Sequence, residues 1–187
     1  MVPLGAALVD GHSGGQAVDV KIRRYLPSDQ GAVVGLFREF MWELAPPRLA
    51  APFQDYIELA IREELGRIEE YYFGRGGQGF WVADASRVVG MVGIEKHADD
   101  AAELRRMAVE RAHRRKGLGR ALLAHAEAFC RDAGYRMVVL STSELQVAAM
   151  RLYESSGYQR VREEIAAATS HKAVGGLARY HYEKALG

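Results

Sequence analysis

The chain has 187 residues, with 25 Lys and Arg against 24 Asp and Glu and a formal net charge of +1. This length suits one domain, and the balanced charge argues against general electrostatic binding of nucleic acid or an anionic membrane. No apolar run reaches the roughly 20 residues of a membrane-spanning helix. A single cysteine, Cys130, excludes an internal disulfide and fits a reducing cytoplasm, and we expect it to be a small core residue.

The first half of the chain predicts one strand and two helices. Residues 1–19 lack the cationic start and apolar core of a secretory signal, so we expect a flexible leader before a domain at residues 20–187. Residues 20–25 alternate as a half-buried strand does. Ser28 or Asp29 is placed to cap a helix that runs to Leu44. A second amphipathic helix is predicted over residues 52–72, with its acidic groups opposite the apolar stripe.

The second half predicts mostly strands. Residues 80–83 and 88–94 form a hairpin, and a strand at residues 103–109 leads through a glycine turn into a helix over residues 118–133. Residues 137–142 are largely apolar, as in a central strand buried on both faces. A helix at residues 146–155, closed by Gly157, and strands at residues 158–165 and 178–184 complete an α+β sheet with a βαβ crossover.

The glycine turn is the strongest chemical signal in the sequence. It has the sequence Arg114-Arg115-Lys116-Gly117-Leu118-Gly119 and stands between a predicted strand and a predicted helix. Glycines allow a tight turn and close approach of a ligand to the backbone. The N-terminus of the following helix presents unpaired N–H groups and the positive end of its dipole. Together with three cationic side chains, these groups predict a receptor for phosphate or pyrophosphate.

Two motifs in this order resemble the GNAT acetyltransferase superfamily. The first is Gln/Arg-x-x-Gly-x-Gly/Ala, matched by Arg114, Gly117 and Gly119, and the second is Leu-Tyr-x-x-x-Gly-Phe/Tyr, matched at residues 152–158. The resemblance implies the GNAT acyl-CoA N-acyltransferase fold, a mixed and mostly antiparallel sheet of six to seven strands flanked by about four helices. It also implies an N-acetyltransferase that moves an acetyl group from acetyl-CoA to a primary amine by direct attack in a ternary complex.

The resemblance also assigns the cofactor-binding residues. Backbone groups on the fourth strand would pair with pantetheine beside a bulge that opens a slot, and the turn would hold the pyrophosphate. In one respect the sequence departs from many members of the superfamily, because Gln146 stands where they have Asn. The cofactor-binding residues implied in this way are Met107, Ala108, Val109, Arg114, Arg115, Lys116, Gly117, Leu118, Gly119, Arg120, Gln146 and Tyr153.

Catalytic residues follow from the same resemblance. Tyr153 is the candidate acid for the departing thiolate, and Glu103 is the first candidate for the base that deprotonates the amine, with Glu95 second. Trp42, Tyr72 and residues 43–52 are candidate contacts for the acceptor amine. A small-molecule acceptor is slightly favoured over a protein lysine or N-terminus.

Other functions stay open at this point. A non-catalytic acyl-CoA-binding regulatory module would share the fold, although it would not need Tyr153. Nucleic-acid binding through the basic residues 111–116 is disfavoured by the net charge, and a membrane partner is not expected. The six histidines show no metal-ligand spacing. Homodimers are common in the superfamily, so a homodimer is an open alternative to a monomer.

Overall fold

The structure, a computed structural model, describes residues 20–74 and 76–187, and the predicted leader at residues 1–19 lies outside this range. The first part contains β1 (Lys21–Arg24), α1 (Gln30–Leu44), α2 (Ala50–Glu63) and α3 (Ile68–Phe73). The strands β2 (Gly79–Asp84), β3 (Val88–Lys96) and β4 (Ala101–Val109) follow. The rest comprises α4 (Leu118–Asp132), β5 (Met137–Ser143), α5 (Val147–Ser155), β6 (Gln159–Ile165) and β7 (Ala178–Ala185).

The strands form one mixed sheet in the order β1-β2-β3-β4-β5-β7-β6. Every neighbouring pair is antiparallel except β4 and β5, which run parallel and are joined through α4. A parallel connection needs a crossover of this kind because the chain must return to the same end of the sheet. The predicted α+β class and the βαβ crossover are therefore confirmed.

Two hydrophobic clusters hold the helices against opposite faces of the sheet. One contains the apolar side of α4, with Leu122 and Ala126 fully buried, together with Tyr153 from α5. The other contains the apolar sides of the first three helices, with Val33 and Ile57 fully buried. Cys130 lies in the first cluster, as predicted, and burial raises the pKa of its thiol to about 12, so it is not a nucleophile at neutral pH.

Of two predictions about the first helices, one holds in part and the other is wrong. Asp29 is the N-cap residue of α1, but its side chain makes no capping hydrogen bond to the helix, because its carboxylate accepts two hydrogen bonds from Arg23, at 2.7 and 2.9 Å, and one from the Leu26 N–H. The predicted helix over residues 52–72 is divided into α2 and α3. The break occurs at Glu64, which is fully buried rather than on the solvent side with the other acidic residues.

Strand β5 is buried on one face only, which corrects the prediction of burial on both. Val138, Leu140 and Thr142 are buried, whereas the alternate residues are half-buried. The strand loses cover on that face because Ser141 and Ser143 border a cavity. Five of the predicted catalytic and cofactor-binding residues line this cavity, namely Glu103, Met107, Ala108, Gln146 and Tyr153, whereas the residues of the glycine turn do not.

Candidate active site

The predicted anion-binding turn is formed as a left-handed turn at the start of α4. Arg115 and Gly117 have φ angles of +63° and +83°, a region that favours glycine. The first hydrogen bond of α4 joins the Ala121 N–H to the Gly117 carbonyl at 3.0 Å. The N–H groups of Leu118, Gly119 and Arg120 precede that bond, so they have no partner within the helix and point out of its N-terminus. The turn therefore has the geometry of an anion-binding site.

Arg114 ties this turn to the rest of the site. Its Nε donates to the Val109 carbonyl at 2.7 Å, and its Nη1 lies 2.7 Å from Glu43 Oε2. The guanidinium also stands 5.2 Å from the centre of the Phe40 ring. One side chain thus joins the end of β4 to α1, so Arg114 shapes the loop through its protein contacts.

A bulge in β4 opens a slot between β4 and β5. The register against β3 shifts between Met91 and Gly93, where Arg106 and Met107 together oppose Val92. Arg106 has a φ angle of +54°, a conformation that is uncommon for a residue with a Cβ. Pairing of β4 with β5 extends only from Ala101–Met137 to Glu103–Val139. Beyond that point the strands diverge, and the edge of β4 lines the cavity through Met107 and Ala108.

Tyr153 and Gln146 stand on the α5 side of this cavity. Tyr153 is 6% exposed, and its ring packs 5.8 Å from that of Tyr158. Burial raises the pKa of the Tyr153 phenol above its usual value, so the hydroxyl remains protonated at neutral pH and can donate a proton or a hydrogen bond. Gln146 Oε1 accepts hydrogen bonds from Thr142 Oγ1 at 2.9 Å and from the Ser143 N–H at 3.3 Å.

Both candidate bases are paired with cations. Glu103 lines the cavity, and its Oε2 lies 3.3 Å from Lys172 Nζ. Glu95 accepts hydrogen bonds from Arg105 and from the Tyr71 hydroxyl, and it lies 3.9 Å from the same lysine. Glu95 is absent from the cavity lining, so Glu103 is the better placed of the two.

A buried ionic cluster underlies the slot, and the sequence analysis missed it. The Glu64 carboxylate is fully buried and receives hydrogen bonds from Arg105 Nη2 at 2.8 Å and from Arg106 Nε and Nη2 at 3.0 and 2.6 Å. The Tyr72 hydroxyl also donates to it. Burial by itself would raise the pKa of Glu64, because it disfavours the charged carboxylate. The two guanidinium groups and the Tyr72 hydroxyl favour the charged form more strongly, and the pKa is lowered to about 2. The adjacent arginines in a predicted strand were the available signal, since strand alternation must turn one of them inward.

The cavity continues from the slot to the first two helices, where its walls are apolar and largely aromatic. The loop between β6 and β7, residues 166–177, forms the opposite wall and places the His171 carbonyl 2.6 Å from Arg106 Nη2. The apolar lining residues of this part are Phe37, Phe40, Met41, Leu44, Phe53, Tyr56, Val174 and Leu177.

Three of the predicted acceptor contacts need correction. Trp42 is 42% exposed and does not line the cavity, because it lies on the outer side of α1. Tyr72 is fully buried and bonded to Glu64, so it belongs to the ionic cluster. Within residues 43–52, Leu44 is the residue that lines the cavity. Tyr56, which was not among the predicted contacts, lines it as well.

Two kinds of feature are absent from the described residues 20–74 and 76–187. No helix in these two ranges is long and apolar enough to cross a membrane. Within the same ranges, no group of three or more His, Cys, Asp or Glu side chains could hold a metal ion.

The chain is similar to known N-acetyltransferases. The chain is 35% identical to human N-acetyltransferase 8B over 126 residues, covering 64% of this chain and 54% of that protein. It is 40% identical to N-acetylaspartate synthetase of Danio rerio over 110 residues, covering 58% and 39% of the two chains. The chain therefore spans about half the length, or less, of these curated relatives.

A solved structure shares the fold of this chain, and a sequence profile identifies its family. The crystal structure of an acetyltransferase from Streptococcus agalactiae superimposes with a TM-score of 0.72 at 22% identity, covering 89% of this chain and 98% of that one. The sequence profile described as "Acetyltransferase (GNAT) family" matches residues 37–158, which include the slot, the glycine turn and Tyr153. The chain therefore belongs to the GNAT family of acetyltransferases.

Proposed function

We propose that this protein is an N-acetyltransferase that moves an acetyl group from acetyl-CoA to the primary amine of a small molecule. The observation that carries the proposal is the slot where β4 and β5 stop pairing, with Tyr153 and Gln146 among its lining residues, while the glycine turn and α4 follow the end of β4 in the chain. A slot with an exposed strand edge suits an extended chain of amides, and pantetheine is such a chain. In coenzyme A a pyrophosphate follows pantetheine, and the N-terminus of a helix suits such an anion.

The binding residues divide between the glycine turn and the slot. The backbone of residues 115–120 would hold the pyrophosphate, with the cationic Arg115, Lys116 and Arg120 exposed beside it. The backbone of Met107, Ala108 and Val109 would pair with pantetheine. Gln146 would contribute its Nε2, since the hydrogen bonds described for its side chain use Oε1.

The reaction needs the amine nitrogen to attack the thioester carbonyl carbon while the carbon–sulfur bond breaks. An N–H at the β4 bulge would stabilise the negative charge that develops on the carbonyl oxygen, and such a donor is worth about 3 kcal/mol of barrier. Tyr153 would donate its proton to the departing thiolate. The proton that the amine loses would pass to Glu103, directly or through water, with Glu95 as the second candidate.

The position of Glu103 on the cavity wall fits a base. An amine of pKa near 10 is mostly protonated at neutral pH and must lose a proton before it attacks. Glu103 is a carboxylate that lines the cavity, with Lys172 Nζ 3.3 Å from its Oε2, so it stands where an acceptor for that proton is needed. Glu103 is also partly buried, so its side chain meets the cavity rather than bulk solvent.

The part of the cavity that lies between the first two helices and residues 166–177 has a lining that supports an acceptor with an apolar, aromatic body. Eight apolar residues line this part, and six of them come from α1 and α2. The cations beside it already have counter-ions, because Arg106 bonds to Glu64, Lys172 pairs with Glu103 and Arg179 lies 3.7 Å from Glu164. A relative is named N-acetylaspartate synthetase, but the lining here favours apolar amines over an acidic amino acid.

The alternative is a module that binds acyl-CoA without turning it over. Tyr153 argues for the enzyme, because a module that only binds has no need of a protonated hydroxyl on the wall of the slot. The test is release of free thiol from acetyl-CoA in the presence of phenethylamine, tryptamine, aspartate, lysine, spermidine, an aminoglycoside or a short peptide. We expect turnover with the aromatic amines. Tight CoA binding without turnover of any amine would support the module, and preferential turnover of aspartate would contradict the proposed acceptor class.

A further inference from the structure

The bulge in β4 contains a residue with an uncommon backbone conformation. Arg106, at the bulge, has a φ angle of +54°, which is disfavoured for a residue with a side chain. Such a conformation persists where the surrounding structure holds it in place. The contacts that hold Arg106 therefore also hold the bulge beside the slot.

The Arg106 side chain donates hydrogen bonds to Glu64, to the Tyr56 hydroxyl and to the His171 carbonyl, and Glu64 is the anion among these three partners. Two of its guanidinium nitrogens bond to the two Glu64 oxygens at 3.0 and 2.6 Å, and Nη1 donates to the Tyr56 hydroxyl at 2.7 Å. The Arg106 side chain is 5% exposed, and that of Glu64 is 0% exposed. Water therefore cannot replace the carboxylate, and its loss would leave a buried guanidinium short of its counter-ion.

Glu64 is held in place by contacts other than those with Arg106. It occupies the break between α2 and the following turn, where its φ and ψ angles are −139° and −69°. The Tyr72 hydroxyl and Arg105 fix the carboxylate in addition to Arg106. The helices that line the acceptor part of the cavity are in this way joined through one carboxylate to the strand that lines the slot.

We propose that Glu64 is a positioning residue for acetyl transfer, whose carboxylate holds Arg106 in the bulge and so keeps the slot between β4 and β5 open for the donor. Glu64 does not line the cavity, so it acts through Arg106 and not on the reacting atoms. The inference rests on the proposed function, because it assigns the slot to acetyl-CoA.

The test compares Glu64→Gln with a matched control, Asp29→Asn. Asp29 is also a buried carboxylate with two hydrogen bonds from one arginine, but its partner Arg23 is on β1, three strands away from β4. Both variants lose a buried ion pair and should be less stable. We expect Glu64→Gln to raise the Kd for CoA, measured by calorimetry, by about tenfold and to lower kcat by up to about 100-fold, since small displacements of reacting groups have effects of this size. Asp29→Asn should leave both constants within about twofold.

Two further measurements separate positioning from other roles. Because the pKa of Glu64 is lowered to about 2, a positioning carboxylate stays ionised in every assay, and the loss in Glu64→Gln should be equal at pH 6 and pH 9. A loss that instead follows an ionisation near neutral pH would mark Glu64 as a base and overturn the inference. Hydrogen exchange at the Met107 and Ala108 amides should be faster in Glu64→Gln than in Asp29→Asn if the bulge has loosened.

The outcomes distinguish this inference from the proposed function. A wild-type protein that binds no CoA would overturn both. A wild-type protein that binds CoA, together with a folded Glu64→Gln variant of equal affinity, would overturn the inference alone. If Glu64→Gln does not fold, Tyr72→Phe decides, because it removes one hydrogen bond and leaves the carboxylate in place. We expect Tyr72→Phe to weaken CoA binding about threefold, and unchanged binding would overturn the inference.

Discussion

Removal of the Tyr153 hydroxyl tests the proposed chemistry most directly. Tyr153→Phe keeps the ring, which packs 5.8 Å from Tyr158 and 6.1 Å from Tyr182 in the hydrophobic cluster beneath α4 and α5. The hydroxyl is therefore the part of the side chain that changes, and we expect the thermal midpoint to stay close to that of the wild type. The effect on turnover then reports the proton that the hydroxyl donates.

The size of the effect follows from the leaving group and the state of the phenol. A general acid contributes about 100- to 10,000-fold in rate, but a thiol of pKa about 8.5 departs tolerably as the thiolate, so the contribution here should lie at or below the lower end of that range. We expect kcat to fall about 10- to 100-fold, which is about 1.4 to 2.7 kcal/mol of barrier. Because burial raises the pKa of Tyr153, its acid form persists through pH 9, and the wild type should show no alkaline fall in kcat from this group in that range.

The assay is thiol release under single-turnover conditions, so that product release does not mask the chemical step. Tyr158→Phe is the matched control, because Tyr158 packs against Tyr153 in the same cluster but is absent from the cavity lining. An unchanged single-turnover rate in Tyr153→Phe would refute the assignment. An equal loss in both variants would show that packing, and not proton transfer, explains the effect.

Three more predictions address the turn, the base and the buried cluster. Gly117→Ala should raise the steady-state KM for acetyl-CoA about fivefold, because a side chain at a φ angle of +83° costs about 1 kcal/mol. A KM equal to that of the wild type would contradict the role of this turn. Glu103→Gln should remove the acidic limb of the pH profile of kcat/KM, and a profile that matches the wild type would exclude Glu103 in favour of Glu95 or a water chain. Since the pKa of Glu64 falls from 4.5 to about 2 on folding, its stabilisation is complete above about pH 4.5 and is lost as the pH falls toward 2. Urea unfolding should therefore show a smaller acid destabilisation in Glu64→Gln than in the wild type, and an equal one would contradict the ion cluster.

The local elements of the site could be predicted because each depends on residues adjacent in sequence. The turn before α4 requires Gly117 at positive φ, and the N–H groups that follow have no helical partner whatever the rest of the chain does. Strand and helix periodicity likewise placed β4 before the turn and Tyr153 on α5. The same reasoning failed at Asp29, because the carboxylate expected to cap α1 bonds to Arg23 on a neighbouring strand instead.

What the sequence determined by itself was therefore the α+β sheet and the parts of the site proposed to bind the donor, namely the glycine turn and Tyr153. The acceptor wall and the support of the bulge were decided by the tertiary structure. Glu64 and Arg106 are 42 positions apart, and no periodicity links them. Their pairing arises because a helix break and a strand bulge meet beneath the sheet, where a buried charge must find its counter-ion.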